Sequence, residues 1–417
     1  MSIKKKDKKL LETAIDKVIE KFNDNSFLSQ DFEEYSKMLR EEYYKSQNIR
    51  KKIRNCCMIG CKEEAIKKSH SIPKSSVLKN ISYNNHVLTP KYDFKNDFPK
   101  IKMASVGINN ASVFPGYCIK HENIFNIYEH DGEIDNAIKA LLQTYRTIAK
   151  ERVYRDIELE ISEKIKKKYI NKINKEAQEY LIFLLKDYPQ FSNINELKIE
   201  GIDSVLSIIS KQANFLRQPN DQFLLFEKYI LAYLLGISIN SDLIVEVMKI
   251  DIEFPISLCG IGSQSFMHFE HKKDLLLLLN VMPLKNSTYI ICAGLEQNLG
   301  ILDKFLNFSF ENPINVLNFI ESFMVNSSDF WFINPNYWNN FSEEKQDKIL
   351  YDILFTNDSF LDEYNYSIFD DIRIKLLTIL EENIKSRGSS ITENEKKRIK
   401  AEYLKLKNKN YYTIKDK

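Results

Sequence analysis

The longest stretch without a helix breaker is the strongest constraint on how this chain folds. Neither glycine nor proline occurs between Gly132 and Pro189, and apolar residues recur there every three or four positions. That spacing predicts one very long helix or a tight helical hairpin over 134–187. Unbroken, the helix would reach roughly 80 Å at 1.5 Å per residue. We expect it to form an arm between domains or the contact of a homo-oligomer.

The pattern of the chain changes on both sides of this segment. Residues 7–22 and about 29–50 show helical periodicity, whereas residues 53–130 lose it. The predicted domains are N-terminal helices at 1–52, a compact module at 53–131, the helical arm at 132–189, a helical C-terminal domain with a few strands at 190–387, and a basic helix and tail at 388–417. The predicted fold class is α+β, mainly helical.

The C-terminal domain has recognisable helices and strands. Helices are predicted at 223–237, 314–323, 372–384 and 393–409, strands near 250–258 and 289–293, and a turn at Pro283. The paired glycines Gly260 and Gly262 lack the third glycine of a dinucleotide-binding fingerprint, so they do not predict a nucleotide site.

Composition and the chain's N-terminal residues narrow the class of protein. A hydrophobic content of 43% in 417 residues allows a sizeable core and excludes a disordered chain. No apolar run approaches the roughly 18 residues of a membrane span. The first residues are charged and lead directly into a helical pattern, without the features of a secretory signal. We therefore expect a cytoplasmic protein without a membrane partner.

The net charge of +2 conceals a strong segregation along the chain. Residues 1–180 carry a net charge of +9, and the remainder carries −7. The segment 50–120 is the most basic part, at +10. Such a segment suits a polyanion, so we expect it to contact nucleic acid, with DNA favoured over RNA.

The same region concentrates the side chains that bind metals. Cys56-x4-Cys61 and the later Cys118-x2-His121 supply three thiols and an imidazole in two close pairs. This is the ligand set and grouping of tetrahedral Zn²⁺, and it suits Mg²⁺ and Ca²⁺ poorly. Cys57 can replace Cys56 at an x3 spacing. We expect a structural zinc site, because a module with few long elements needs a staple.

The order of these motifs resembles a known family. It reads Cys-x4-Cys at 56–61, Ser-His-Ser-Ile-Pro at 69–73, and Cys-x2-His-Glu at 118–122. This is similar to the zinc-containing HNH (His-Asn-His) nucleases, which have a ββα-metal fold. The resemblance covers about residues 56–125 and implies a small zinc-stapled module of that fold.

The resemblance also implies roles for individual residues. His70 takes the position of the general base that activates water, and Asn109 or Asn110 takes that of the loop asparagine that orients it. Glu122 takes the position of the helix ligand of a catalytic Mg²⁺ or Mn²⁺. Ser69 stands where the family often has Asp or His, and Glu122 stands in place of the usual final His.

Two functions follow from these expectations. The first is metal-dependent hydrolysis of nucleic-acid phosphodiesters by the HNH-like module, in a plan that resembles bacterial phage-defence or mobile-element proteins. The second is a non-catalytic protein in which the zinc module binds nucleic acid or serves regulation and assembly. Only the first predicts that His70→Ala abolishes an activity while zinc and folding are retained.

Overall fold

The computed structural model of the chain describes most of its residues. These are 5–23, 54–93, 100–130, 132–191, 222–237, 243–268, 271–295, 300–328, 330–356, 358–386 and 392–407. Contacts divide the chain into two compact units, a smaller one of residues 1–52 and 152–221 and a larger one of residues 53–151 and 222–417. Helix accounts for 55% of the structure and strand for 20%, which confirms the mainly helical α+β class. The five-part domain division stays a prediction.

The described part of the chain contains helices at most of the predicted places. They are α1 (Lys5–Asn23), α2 (Ile119–Glu122), α3 (Asn126–Glu129), α4 (Ala137–Leu185), α5 (222–234), α6 (Ile301–Ser309), α7 (Pro313–Asn326), α8 (Pro335–Asn339), α9 (Glu343–Phe355), α10 (Asp370–Ser386) and α11 (Glu393–Lys407). Asn312 starts α7 by accepting a hydrogen bond from the Asn315 N–H, with Pro313 as the first helical residue. The helix predicted at about 29–50 lies outside the described residues.

The long helix α4 is continuous, so the hairpin alternative is wrong. Its residues 139–150 belong to the larger unit and are buried on every side of the helix. From residue 152 it belongs to the smaller unit, where a single apolar stripe that includes Ile161, Ile165 and Ile173 is buried. One helix thus has a core character in one unit and an amphipathic character in the other.

The larger unit is built on a seven-stranded antiparallel sheet. Two short strands, β1 (Ser69–His70) and β4 (Val113–Phe114), form a separate pair. The sheet strands are β2 (His86–Asp93), β3 (Lys100–Gly107), β5 (Leu243–Ile250), β6 (Ile256–His268), β7 (His271–Leu284), β8 (Ser287–Leu295) and β9 (Trp331–Ile333). Their order across the sheet is β3-β2-β9-β6-β7-β8-β5.

The centre of this sheet is covered on both faces. Residues 275–284 and all of β8 are buried. Burial of consecutive residues means that both faces of these strands are covered, because successive side chains point to opposite faces. On one face, Lys150 of α4 donates to the Cys259 carbonyl at 2.8 Å. On the other face, the end of α7 approaches so closely that a Cβ at Gly260 would lie 2.2 Å from the Ser328 Oγ. The paired glycines therefore serve helix–sheet packing.

The predicted strands and turn need small corrections. The segment 250–258 is not one strand, because β5 ends at Ile250 and β6 begins at Ile256. Pro283 is not the turn; it lies in β7 opposite Thr288. The chain turns at residues 285–286, where Asn286 adopts a φ of +65°. Asparagine tolerates this left-handed conformation better than most residues, which explains why the turn falls there.

The cysteine-rich segment contributes directly to the sheet. The hairpin of β2 and β3 is inserted between β1 and β4, and β2 pairs with β9 at Leu88 and Ile333. Residues 86–93 and 100–107, which the sequence gives only as loop-rich, thus form the two strands at one edge of the sheet. No helix among the described residues has both the length and the apolar composition that a membrane crossing demands.

Candidate metal centre

The first pair of ligand-type cysteines lies in a tight turn. The Cys56 N–H donates to the Glu63 carbonyl at 2.8 Å, which closes the turn at its base. Within it, the Cys61 N–H donates to the Met58 carbonyl at 3.0 Å, and Gly60 adopts a φ of +80°. Glycine adopts that conformation without steric cost, so the spacing of four residues can close. Both side chains consequently lie on the same side of the turn.

The second pair lies at the start of a helical segment. Cys118 precedes α2, and its carbonyl accepts the first helical hydrogen bond, from the Glu122 N–H at 2.9 Å. His121 follows one helical turn later, on the same face as Cys118. The turn is held beside this segment because the Cys57 N–H donates to the Gly116 carbonyl at 2.7 Å.

The four side chains converge on one point. Candidate ligand atoms of Cys56, Cys61, Cys118 and His121 all lie within 4.8 Å of one another. The His121 Nδ1 is 3.3 Å from the Sγ of Cys56 and 3.3 Å from that of Cys118. Ligand atoms about 2.0–2.3 Å from a tetrahedral Zn²⁺ are themselves about 3.5–3.8 Å apart. The cluster therefore has the composition and size of a metal-binding site, and it contains Cys56 rather than Cys57.

The burial of this cluster affects the protonation of its thiols. Burial raises the pKa of the Cys56 thiol to about 12, because a thiolate without a neighbouring cation is poorly solvated there. A coordinated metal ion reverses that preference and deprotonates the thiol outright. The donor set fits a soft, thiolate-binding ion.

His70 lies at the end of β1, opposite Val113 of β4. Its Nδ1 is 3.0 Å from the Ala111 carbonyl oxygen. Because a carbonyl can only accept, this contact places a proton on Nδ1 and leaves the lone pair of the neutral ring on Nε2. Burial and then the charge of Arg146 lower the pKa of His70 to about 4, and Lys74 and Lys68 act in the same direction.

Exposed polar side chains surround His70. The Lys68 Nζ donates to the Asn110 Oδ1 at 3.0 Å, and the Lys74 Nζ lies 3.4 Å from the Asn109 Oδ1. Residues 68, 70, 74, 109 and 110 are called the His70 face below. Asn109, the predicted orienting residue, contacts Lys74, while the Ala111 carbonyl is the group that bonds to the His70 ring.

Glu122 has a different neighbour from the one that the resemblance implies. Its carboxylate accepts a hydrogen bond from the buried Arg146 of α4, which also donates to Glu129. Ser69 is buried, and its Oγ accepts the Tyr117 N–H at 3.0 Å. Where the structure describes the chain, the Cys56–His121 cluster is the one group of three or more His, Cys, Asp or Glu side chains arranged for a metal. The described residues therefore offer no second group of three such side chains to hold a catalytic divalent ion.

Sequence reasoning missed Arg146 and Glu129. Arg146 lies in a helix rich in lysine and arginine, and nothing in its local pattern marks it as buried. The uniform burial of residues 139–150 is the feature that sets it apart, and that burial depends on the sheet. Comparison of the chain with protein-family models, with curated proteins and with solved structures found no match.

Proposed function

We propose that residues 54–130 form a zinc-stapled module that binds nucleic acid through the His70 face. Three thiolates and one imidazole in a tight cluster support Zn²⁺ as the metal, because soft sulfur ligands favour it over Mg²⁺ or Mn²⁺. The ion would join the turn at 56–61 to the helical segment at 118–121. Its role is structural, since all four ligand positions come from the protein.

The observation that carries the nucleic-acid proposal is that two lysines beside His70 contact asparagine side chains. The ammonium groups of Lys68 and Lys74 contact amide oxygens, which are neutral, so these contacts do not cancel their positive charge. Both side chains are exposed. Phosphate oxygens would give these ammonium groups a negatively charged partner, and amide groups add hydrogen bonds to phosphate and sugar.

This proposal is tested by measuring binding at several salt concentrations. Fluorescence anisotropy with labelled 20-mer duplex DNA, single-stranded DNA and RNA would compare the wild type with Lys68→Gln/Lys74→Gln. We expect weaker binding and a decrease of about 1 per lysine in the slope of log K against log salt.

The matched control for that experiment is Lys304→Gln/Lys375→Gln. It removes the same charge from exposed positions of α6 and α10. We expect the control to keep the wild-type salt slope. Equal losses in both double variants would mean that only net charge matters, and that the His70 face is not the binding site. The preference for DNA over RNA is read from the same titrations.

A second candidate function is phosphodiester hydrolysis with His70 as the general base. The Nδ1 contact with Ala111 favours it, because that contact orients the ring with Nε2 free to accept a proton. The low pKa keeps the ring neutral at pH 7. The pairing of Glu122 with Arg146 favours the non-catalytic function, since hydrolysis of the implied type needs a divalent ion.

Cleavage assays separate the two candidates. Plasmid DNA and single-stranded RNA would be incubated with Mg²⁺ or Mn²⁺ and the zinc-loaded protein, with His70→Ala alongside. Cleavage that is lost in a zinc-containing, folded His70→Ala variant would support hydrolysis. Binding without cleavage would leave the non-catalytic module as the function. Self-association through residues 132–189 stays a separate prediction, tested by the mass of the protein in solution.

A further inference from the structure

The guanidinium of Arg146 is enclosed by one face of the helical segment 119–129. Arg146 donates to the carboxylates of Glu122 and Glu129, and its guanidinium carbon lies 4.5 Å from the centre of the Phe125 ring. These three partners are spaced at i, i+3 and i+7, so a helical backbone brings them to the same side. Only 1% of the Arg146 side chain is exposed, against 21% and 20% for the two glutamates.

The charges of this group are those of a cation-binding site, in which Glu122 and Glu129 are the ligands and the Arg146 guanidinium is the bound cation. Two carboxylates converge on a single positive group, and the Tyr128 hydroxyl oxygen lies 3.5 Å from the same guanidinium nitrogen that contacts Glu129. Among the described residues, the buried Glu122 Oε2 has no hydrogen-bond partner. That carboxylate therefore keeps lone pairs for a second electrostatic contact. Removing the guanidinium would leave two negative charges in a low-dielectric setting, which is strongly unfavourable without another cation.

The geometry points to Arg146 as the resident cation of this site, held where the two carboxylates would otherwise bind a divalent metal ion. This inference goes beyond nucleic-acid binding, because it concerns how the acidic pair is neutralised. In the wild type, the guanidinium fills the site, so Glu122 and Glu129 bind no divalent ion. Without the guanidinium, the same oxygen atoms form a site for a hard ion such as Mn²⁺.

The test measures Mn²⁺ binding directly, without any assay of activity. The zinc-loaded full chain would be titrated with Mn²⁺, and free Mn²⁺ would be followed by electron paramagnetic resonance. We expect no stoichiometric Mn²⁺ in the wild type. Arg146→Met, which keeps the length and loses the charge, is expected to bind one Mn²⁺ per chain at least roughly tenfold more tightly than the wild type.

Two variants control for the acidic pair and for the loss of a buried cation. The triple variant Arg146→Met/Glu122→Gln/Glu129→Gln lacks the proposed ligands and is expected to bind no Mn²⁺. Lys150→Met removes another buried cation one helical turn along α4, where the ammonium contacts Glu151 and the Cys259 carbonyl instead. It is expected to behave as the wild type does.

Either of two results would overturn the inference. One is stoichiometric Mn²⁺ binding by the wild type, and the other is a folded, zinc-containing Arg146→Met protein that binds none. Should Arg146→Met fail to fold alone, millimolar Mn²⁺ or Mg²⁺ is expected to restore its circular dichroism and zinc content. If neither Mn²⁺ nor Mg²⁺ restores the fold of Arg146→Met, the inference is also rejected. None of these results depends on nucleic-acid binding, so the two proposals fail separately.

Discussion

Two cation sites share the helical segment 118–129, and they differ in the origin of their charges. In the cysteine cluster, four ligand-type side chains come from two pairs that are close in sequence, and a cation bound there would come from solution. In the acidic site, the carboxylates of Glu122 and Glu129 belong to the segment, and the cation is Arg146 from α4. The first kind of site is visible in a sequence, whereas the second appears only when the following helix, α4, packs against the segment.

The chemistry of the two sites separates their consequences. Thiolates and imidazole select a soft or borderline ion, and carboxylates accept either a guanidinium or a hard ion. His121 and Glu122 are adjacent in the chain yet serve different sites. The two groups therefore differ in the kind of cation that each accepts.

Loss of a cysteine ligand should abolish folding of the module. Cys118→Ser is expected to eliminate bound zinc and to unfold residues 54–130, because zinc binding of this type contributes about 10–16 kcal/mol to apparent stability. Zinc content and limited proteolysis would measure both effects. Cys292→Ala, at a buried thiol of β8 outside the cluster, is the control and should retain zinc. A folded, zinc-free Cys118→Ser protein would contradict a structural role for the metal.

Loss of the Arg146 guanidinium should lower the stability of the protein less than loss of a cysteine ligand does. The size of this decrease should depend on Glu122 and Glu129. Arg146→Met is expected to lower the free energy of unfolding by about 3–5 kcal/mol, because it leaves uncompensated carboxylates in a buried setting. Adding Glu122→Gln and Glu129→Gln should restore part of that stability. Chemical denaturation of the wild type, Arg146→Met, Glu122→Gln/Glu129→Gln and the triple variant measures the coupling. Strictly additive losses would show that the three groups do not form one site.

The pH dependence of stability should report on His70. Its pKa is about 4 in the folded chain, below an unfolded value near 6.5, so the unfolded state binds more protons between those values. Stability from this group is fully present above pH 6.5 and is lost as the pH falls towards 4, by on the order of 3 kcal/mol.

Asparagine at position 70 provides the comparison for that measurement. His70→Asn can keep a donor to the Ala111 carbonyl while removing the titration. Thermal unfolding between pH 4 and 7 should show a flatter curve for the variant than for the wild type. Identical curves would mean that His70 does not titrate differently in the two states.

The smallest expected effect concerns Ser69. Its buried Oγ accepts the Tyr117 N–H at 3.0 Å, so Ser69→Ala should leave that N–H unpaired and cost about 1–3 kcal/mol. Ser75→Ala, at an exposed position, should change stability by no more than about 0.5 kcal/mol. Chemical denaturation would compare them, and a similar small change in both would show that the Ser69 contact contributes nothing measurable.

The parts of the fold that could be read from the sequence are those that depend on local pattern. Helical periodicity predicted α1, α7, α10 and α11, and the absence of breakers predicted a helical segment at α4 without deciding between one long helix and a hairpin. The pairs Cys56–Cys61 and Cys118–His121 predicted the cluster because a tight turn and a single helical turn each bring two ligands together. The pairing of β2 with β9 joins Leu88 to Ile333, and no local pattern contains that information.

Sequence alone therefore determined the mainly helical α+β class, the two ligand pairs and the basic character of the segment around them, because each depends on neighbours in the chain. Only the tertiary structure decided that residues 86–93 and 100–107 join a larger sheet, that Glu122 is paired with Arg146, and that His70 has a low pKa. The physical reason is the same in each case. Burial and charge pairing at these residues come from α4 and the sheet, which approach them only when the chain is folded.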